Sequence, residues 1–161
     1  MLRSGSFPMR STSRRGMLDV NQPYPGLGCR ARNAMPIRLL IVDDRAVVRA
    51  ELRAALALFR SVTVAGEAVD GADALRQARA LQPDAILLDL EMPGMDGYEA
   101  ARRLKAACPA PVVIALTVHA DAVSRRKAVE AGADAFIVKG TDLRRILHTI
   151  EDLVPQRSKD E

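Results

Sequence analysis

Aromatic residues are scarce in this chain, with no tryptophan, two tyrosines and three phenylalanines among 161 residues. Its core must therefore be built from Ala, Val, Leu and Ile, which suits helices packed closely on a sheet. Cysteine is scarce too. Cys29 and Cys108 have no metal-ligand spacing, so neither a disulfide framework nor a zinc site is indicated. No apolar stretch approaches the roughly 18 residues of a spanning helix, and the N-terminus lacks the apolar run of a secretory signal. Reduced thiols, no membrane association and a cytoplasmic location are the expectation.

The net charge of +4 is unevenly placed. Residues 1–34 carry six arginines against Asp19 alone, so the remainder nets −1. A nucleic-acid-binding reading of the high pI would rest wholly on that segment. Residues 1–35 mix Ser, Arg, Pro and Gly without period and read as a disordered basic tail, with Met35 as an alternative start. Residues 36–154 are long enough for one well-buried domain. Residues 155–161 are a short C-terminal tail, too short for a second domain.

From Ile37, short apolar runs alternate with amphipathic segments, the pattern of βα units on a parallel sheet. Strands are expected at 37–42, 62–67, 84–89, 112–116 and 134–138. Helices are expected at about 45–59, 71–81, 97–107, 121–131 and 142–154. The last is the clearest, because Leu143, Ile146, Leu147, Ile150, Leu153 and Val154 recur on one stripe. Asp70, Asp96, Asp121 and Thr141 stand where helix N-caps belong. Five strands and five helices imply an open, doubly wound sheet, whose ligands bind outside the carboxyl ends of the strands. A strand order 2-1-3-4-5 would make the first and third strands neighbours.

Those strand ends carry the chemistry. Asp43 and Asp44 close LLIVDD, Asp89 closes AILLD, Thr117 follows the fourth strand and Lys139 closes AFIVK. Three carboxylates brought together repel strongly unless a cation neutralises them. Hard oxygen ligands of this kind suit Mg²⁺. A carboxylate beside such an ion can attack a phosphoryl group, while Lys139 balances the charge of the product.

In their order and separation, IVDD, LLDLEMPGMDG, IALT, EAGADAF and VK resemble the receiver domain of two-component response regulators. The likeness spans about residues 37–154 and implies a flavodoxin-like (βα)5 fold. It implies that Asp89 is the phosphoacceptor, and that Asp43, Asp44 and Asp89 hold Mg²⁺ together with the backbone carbonyl of Glu91. Thr117 is then the hydroxyl that binds the phosphoryl group, Lys139 its cation, and Phe136 the aromatic switch, expected to turn inward when Thr117 moves. The implied role is signalling rather than enzymatic turnover. Its donor is a histidine kinase or phosphotransfer protein, and its output a downstream protein or a second copy meeting helix 4, strand 5 and helix 5. One departure is plain: Gly140 follows Lys139, where many receivers place a cis proline. A non-proline cis bond costs about 2.5–4 kcal/mol, so a trans bond or a looser loop is expected.

Other residues have plainer readings. Gly94 and Gly97 are turn residues, and His148 is a surface histidine late in the last helix. Arg125, Arg126 and Lys127 form a basic run on the fourth helix. Glu91 and His119, two residues beyond Asp89 and Thr117, flank the expected route of a hydrolytic water and are candidates for tuning its rate. Two alternatives stand beside the receiver reading. One is a DNA-binding transcriptional regulator lacking its effector domain. The other is an aspartate-nucleophile phosphatase, although such enzymes place the nucleophile after the first strand.

Overall fold

The computed structural model describes residues 18–19 and 35–155. Five strands, β1 (Ile37–Val42), β2 (Val62–Ala68), β3 (Ala85–Asp89), β4 (Val112–Thr117) and β5 (Ala135–Val138), alternate with five helices. The helices are α1 (Ala46–Leu56), α2 (Gly71–Leu81), α3 (Gly97–Lys105), α4 (Ala122–Glu130) and α5 (Leu143–Leu153). All ladders are parallel, in the order β2-β1-β3-β4-β5 expected from the alternation.

One feature was not expected. Leu18–Asp19 forms a two-residue strand on the outer edge of β5, in register with Ala135 and Phe136. Residues 1–17 and 20–34 of the expected N-terminal tail lie outside the described residues, as do 156–161 of the C-terminal one.

Successive side chains of a strand point to opposite faces, so each strand feeds two cores. Leu39 and Ile41 of β1 pack with Leu56 of α1 and Ile146 and Ile150 of α5. Leu40 and Val42 pack on the other face with Ala74 of α2, Ala100 and Leu104 of α3, and Ala128 of α4. Every residue of central β3 is buried, as its continuous apolar run requires. Fully buried alanines on α2, α3 and α4 let those helices approach the sheet without large rings between them.

Asp70, Asp96 and Asp121 cap α2, α3 and α4 as expected, accepting from the N–H groups of Asp73, Glu99 and Ser124. The cap of α5 is Asp142 rather than Thr141. The Thr141 hydroxyl is taken up by the carbonyl of Val138 at 2.6 Å. The Asp142 carboxylate accepts from Arg144 N–H at 2.7 Å. Helix α1 also ends earlier than its apolar pattern suggests, because Leu58 and Phe59 donate to Ala55 and Leu56 in a tightened last turn.

Candidate functional site at the strand ends

Register decides which strand ends meet. Val42 pairs with Leu88, so Asp43 leaves β1 beside Asp89 at the end of β3. Thr117 pairs with Val138, so Lys139 leaves β5 one residue further on. Asp43, Asp44 and Asp89 thereby present carboxylate oxygens that all lie within 4.8 Å of one another. Asp43 and Asp89 are buried, whereas Asp44 is exposed. The set contains only hard oxygen donors, two of them desolvated, and this chemistry fits Mg²⁺ better than a softer metal.

Lys139 closes the site from β5. Its Nζ lies 2.9 Å from Asp43 Oδ2 and 2.9 Å from Asp89 Oδ2. Burial pushes the Asp89 carboxyl above its usual range, although the Glu91 N–H and Lys139 pull the other way. Burial would lower the Lys139 ammonium, but hydrogen bonds to Asp43 and Asp89 outweigh it and hold the group above its ordinary value.

The Lys139–Gly140 peptide is trans, since the single cis bond among the described residues is Cys108–Pro109. Gly140 turns the chain at φ +89°, a conformation that favours glycine. Lys139 N–H donates to the Thr117 carbonyl at 2.7 Å, and Thr141 N–H to Val138 at 3.1 Å. The glycine therefore provides a tight turn rather than the looser loop considered from the sequence.

The loop after β3 folds back on its own helix. Glu91 N–H donates to Asp89 Oδ1 at 3.0 Å, and Gly97 N–H reaches the Leu90 carbonyl at 3.3 Å. A Cβ on Gly97 would overlap the Asp89 carbonyl and the Leu90 backbone, so no larger residue fits there. Gly94 takes φ +83° and makes the loop's turn.

Thr117 is buried, and its Oγ1 accepts from His119 N–H at 3.0 Å. The same hydroxyl lies 3.4 Å from Glu91 Oε1, a long contact. His119 Nε2 meets that carboxylate oxygen at 3.1 Å, so the two rate-tuning candidates touch across the mouth of the site.

Phe136 is buried already, in the core beneath α4, and the Arg125 guanidinium sits 5.2 Å from its ring centroid. The ring expected to turn inward thus already lies inward in this structure. Arg126 and Lys127 are exposed, and His148 pairs with Asp152 at 2.7 Å on the surface of α5.

Sequence reasoning missed the support around Asp43. Arg49, in the first turn of α1, donates to the Asp43 carbonyl at 2.8 Å and to Glu67 Oε2 of β2 at 3.1 Å. The available signal was an arginine where the helix dipole disfavours a cation.

A model of the response regulator receiver domain matches residues 39–151. The chain is similar to the response regulator GacA of Pseudomonas viridiflava, 37% identical over 114 residues, covering 71% of this chain and 53% of that protein. It is also similar to protein-glutamate methylesterase/protein-glutamine glutaminase 1 of Carboxydothermus hydrogenoformans, 35% identical over 73% of this chain and 35% of that protein. Among solved structures, a LuxR-family two-component response regulator from Aurantimonas sp. SI85-9A1 superposes with a TM-score of 0.69 at 32% identity. That match covers 73% of this chain and 84% of the other. The chain thus spans about half or less of the length of these two curated relatives.

Proposed function

Because the chain belongs to the response regulator receiver domain family, a family of signalling domains, we propose that Asp89 accepts a phosphoryl group from the phosphohistidine of a histidine kinase or phosphotransfer protein. A carboxylate oxygen of Asp89 attacks phosphorus in line, the P–N bond breaks, and the imidazole nitrogen recovers a proton, leaving an aspartyl phosphate. The observation that carries this reading is the contact of one ammonium, Lys139, with the buried carboxylates of both Asp43 and Asp89.

Asp43, Asp44 and Asp89, with the backbone carbonyl of Glu91, would hold Mg²⁺, which when bound offsets the negative charge gathered around the phosphoryl group. Lys139 would pair with the product, a role supported by its present contact with a carboxylate oxygen of the acceptor, Asp89 Oδ2, at 2.9 Å. The Thr117 hydroxyl accepts from His119 N–H, but its own proton has only a long contact to Glu91 and is available to turn toward a phosphoryl oxygen. Glu91 and His119 stand at the mouth and limit the approach of water.

Output runs through α4, β5 and α5. Movement of Thr117 at the end of β4 shifts β5 through their shared ladder, and Phe136 passes that shift to α4 through Arg125. A downstream protein or a second copy meets that face. Residues 35–161 net −1, which disfavours a phosphate backbone as the ligand of this domain. The receiver unit is residues 36–154, which enclose the family match. No described helix is long and apolar enough to cross a membrane, in keeping with a cytoplasmic receiver.

Incubation with acetyl phosphate and Mg²⁺ tests the acceptor. One phosphoryl mass is expected on the chain and none on Asp89→Asn; undiminished labelling of that variant would overturn the assignment.

A further inference from the structure

We propose that Arg49 is a positioning residue for the metal site, acting by fixing the peptide that joins Asp43 to Asp44. This rests on the reading of the acidic pair as Mg²⁺ ligands. It assigns a role to a side chain that touches neither the acceptor carboxylate nor the phosphoryl group.

Every polar atom of Asp43 is held. Its N–H donates to the Ala68 carbonyl at 3.2 Å, Oδ1 accepts from Arg45 N–H at 2.9 Å, and Oδ2 accepts from Lys139 at 2.9 Å. Its carbonyl accepts from Arg49 Nη1 at 2.8 Å. That last bond differs in kind, because the carbonyl belongs to the peptide plane leading into Asp44. Asp44 is exposed, and none of the hydrogen bonds or ion pairs described here engages its carboxylate. The backbone at Asp44 fixes where its side chain leaves the chain, and the peptide before it is held by Arg49 on the Asp43 carbonyl and by the Arg45 N–H on Asp43 Oδ1.

Three observations show that Arg49 is placed rather than incidental. Its side chain is only 14% exposed, low for an arginine on the first turn of a surface helix. It stands at the helix end where the dipole opposes a cation, and the first turn of α1 holds no acidic residue to compensate. Its charge is balanced from another element: Glu67 of β2 accepts Arg49 Nε on Oε2 while Oε1 takes Arg53. Glu67 is held below its usual carboxylate range, chiefly by the Arg53 hydrogen bond against the cost of burial, with Arg49 adding to it. The guanidinium is thus pinned at one end by β2 and holds the acidic loop with the other.

Charge and position predict opposite signs. A cation beside a metal site repels the metal, so deleting Arg49 for charge alone would tighten Mg²⁺ binding. If Arg49 acts by orienting the peptide, deleting it weakens binding. Losses of hydrogen-bonded support around metal ligands commonly cost ten-fold or more in affinity.

The experiment measures Mg²⁺ dissociation constants by calorimetry on the full chain, on Arg49→Met, on Arg49→Lys and on Arg53→Met, with metal-free melting points recorded for each. Arg53 shares Glu67 but makes no bond to Asp43, so its variant controls for loss of the ion pair. The expected result is weakening on the order of ten-fold in Arg49→Met, a smaller loss in Arg49→Lys, and little change in Arg53→Met. Arg49→Lys keeps the charge and serves if Arg49→Met does not fold. Unchanged or tighter binding in both Arg49 variants overturns the role, as does equal weakening in Arg53→Met. A parent chain that does not bind Mg²⁺ overturns the metal reading itself, and this role with it.

Discussion

Lys139 Nζ and Asp43 Oδ2 lie 2.9 Å apart although 96 positions separate the two residues in the chain. The same ammonium is equally close to Asp89, so one cation serves two buried carboxylates. Removing one partner of a buried pair is far more costly than the pair's net contribution, because the other charge stays buried and uncompensated. Lys139→Met should therefore lose about 3 kcal/mol of stability in the absence of metal. Urea unfolding in EDTA measures the loss, and added Mg²⁺ should recover part of it. A variant as stable as the parent would contradict the pairing.

Stability should depend on pH with opposite signs at two carboxylates. Burial raises the Asp89 carboxyl above 3.8, so the folded chain holds that proton more tightly than the unfolded one. Its contribution is present at low pH and is lost as pH rises through the raised value. Asp89→Asn should thus raise the melting point of the metal-free chain at neutral pH, with the gain vanishing toward pH 4. Glu67 is held below 4.5 mainly by Arg53, against burial, so its contribution is present above that value and lost as pH falls through the lowered one. Glu67→Gln should cost stability at neutral pH and little in acid. Melting curves of both variants across pH 3–8 check the pair of signs.

Gly97→Ala tests the loop behind the acceptor. A Cβ there meets the Asp89 carbonyl and the Leu90 backbone, neither of which can swing aside like a side chain. Destabilisation of about 1–3 kcal/mol is expected, with slowed phosphorylation because the acceptor's own peptide is displaced. Asp96→Ala removes only the cap of α3 and should cost about 1 kcal/mol, with a smaller effect on the rate. Acetyl phosphate labelling and denaturant unfolding on the same samples separate the two.

The Glu91–His119 contact should govern lifetime more than formation of the aspartyl phosphate. Both side chains are substantially exposed, 44% and 64%, so the pair contributes at most about 1 kcal/mol, or roughly five-fold in a rate. Replacing both with alanine should speed hydrolysis within that range while labelling changes less. Phosphate release set against the rate of mass gain decides it; equal effects on both steps would place the two residues in shared geometry.

Deleting residues 1–34 should change the melting point little. The described part of that segment is a two-residue ladder on β5. A few backbone hydrogen bonds worth about 0.5–1.5 kcal/mol each are offset by ordering costs of about 1–2 kcal/mol per residue. A large fall in the melting temperature would show that the edge strand matters more than this balance allows.

Short-range physics made much of the protein legible in its sequence. Alternating apolar runs and amphipathic stripes marked all five strands and five helices, and aspartates at Asp70, Asp96 and Asp121 marked three helix starts, because periodicity and capping act within a turn or two. The residues of the acidic site were legible for the same reason, since each stands at the end of a strand. What the sequence could not decide was which side chain spends which hydrogen bond. Thr141 and Asp142 are adjacent and both capable of capping; only the turn at Gly140, which gives the threonine hydroxyl to Val138, selects the aspartate. The position of Phe136 beneath Arg125, the contact of Glu91 with His119, and the hold of Arg49 on the Asp43 carbonyl each join a residue to one on a different element or loop. Such contacts depend on parallel register and on how each helix docks against the sheet, and those are set by the packing of two cores at once rather than by any local pattern.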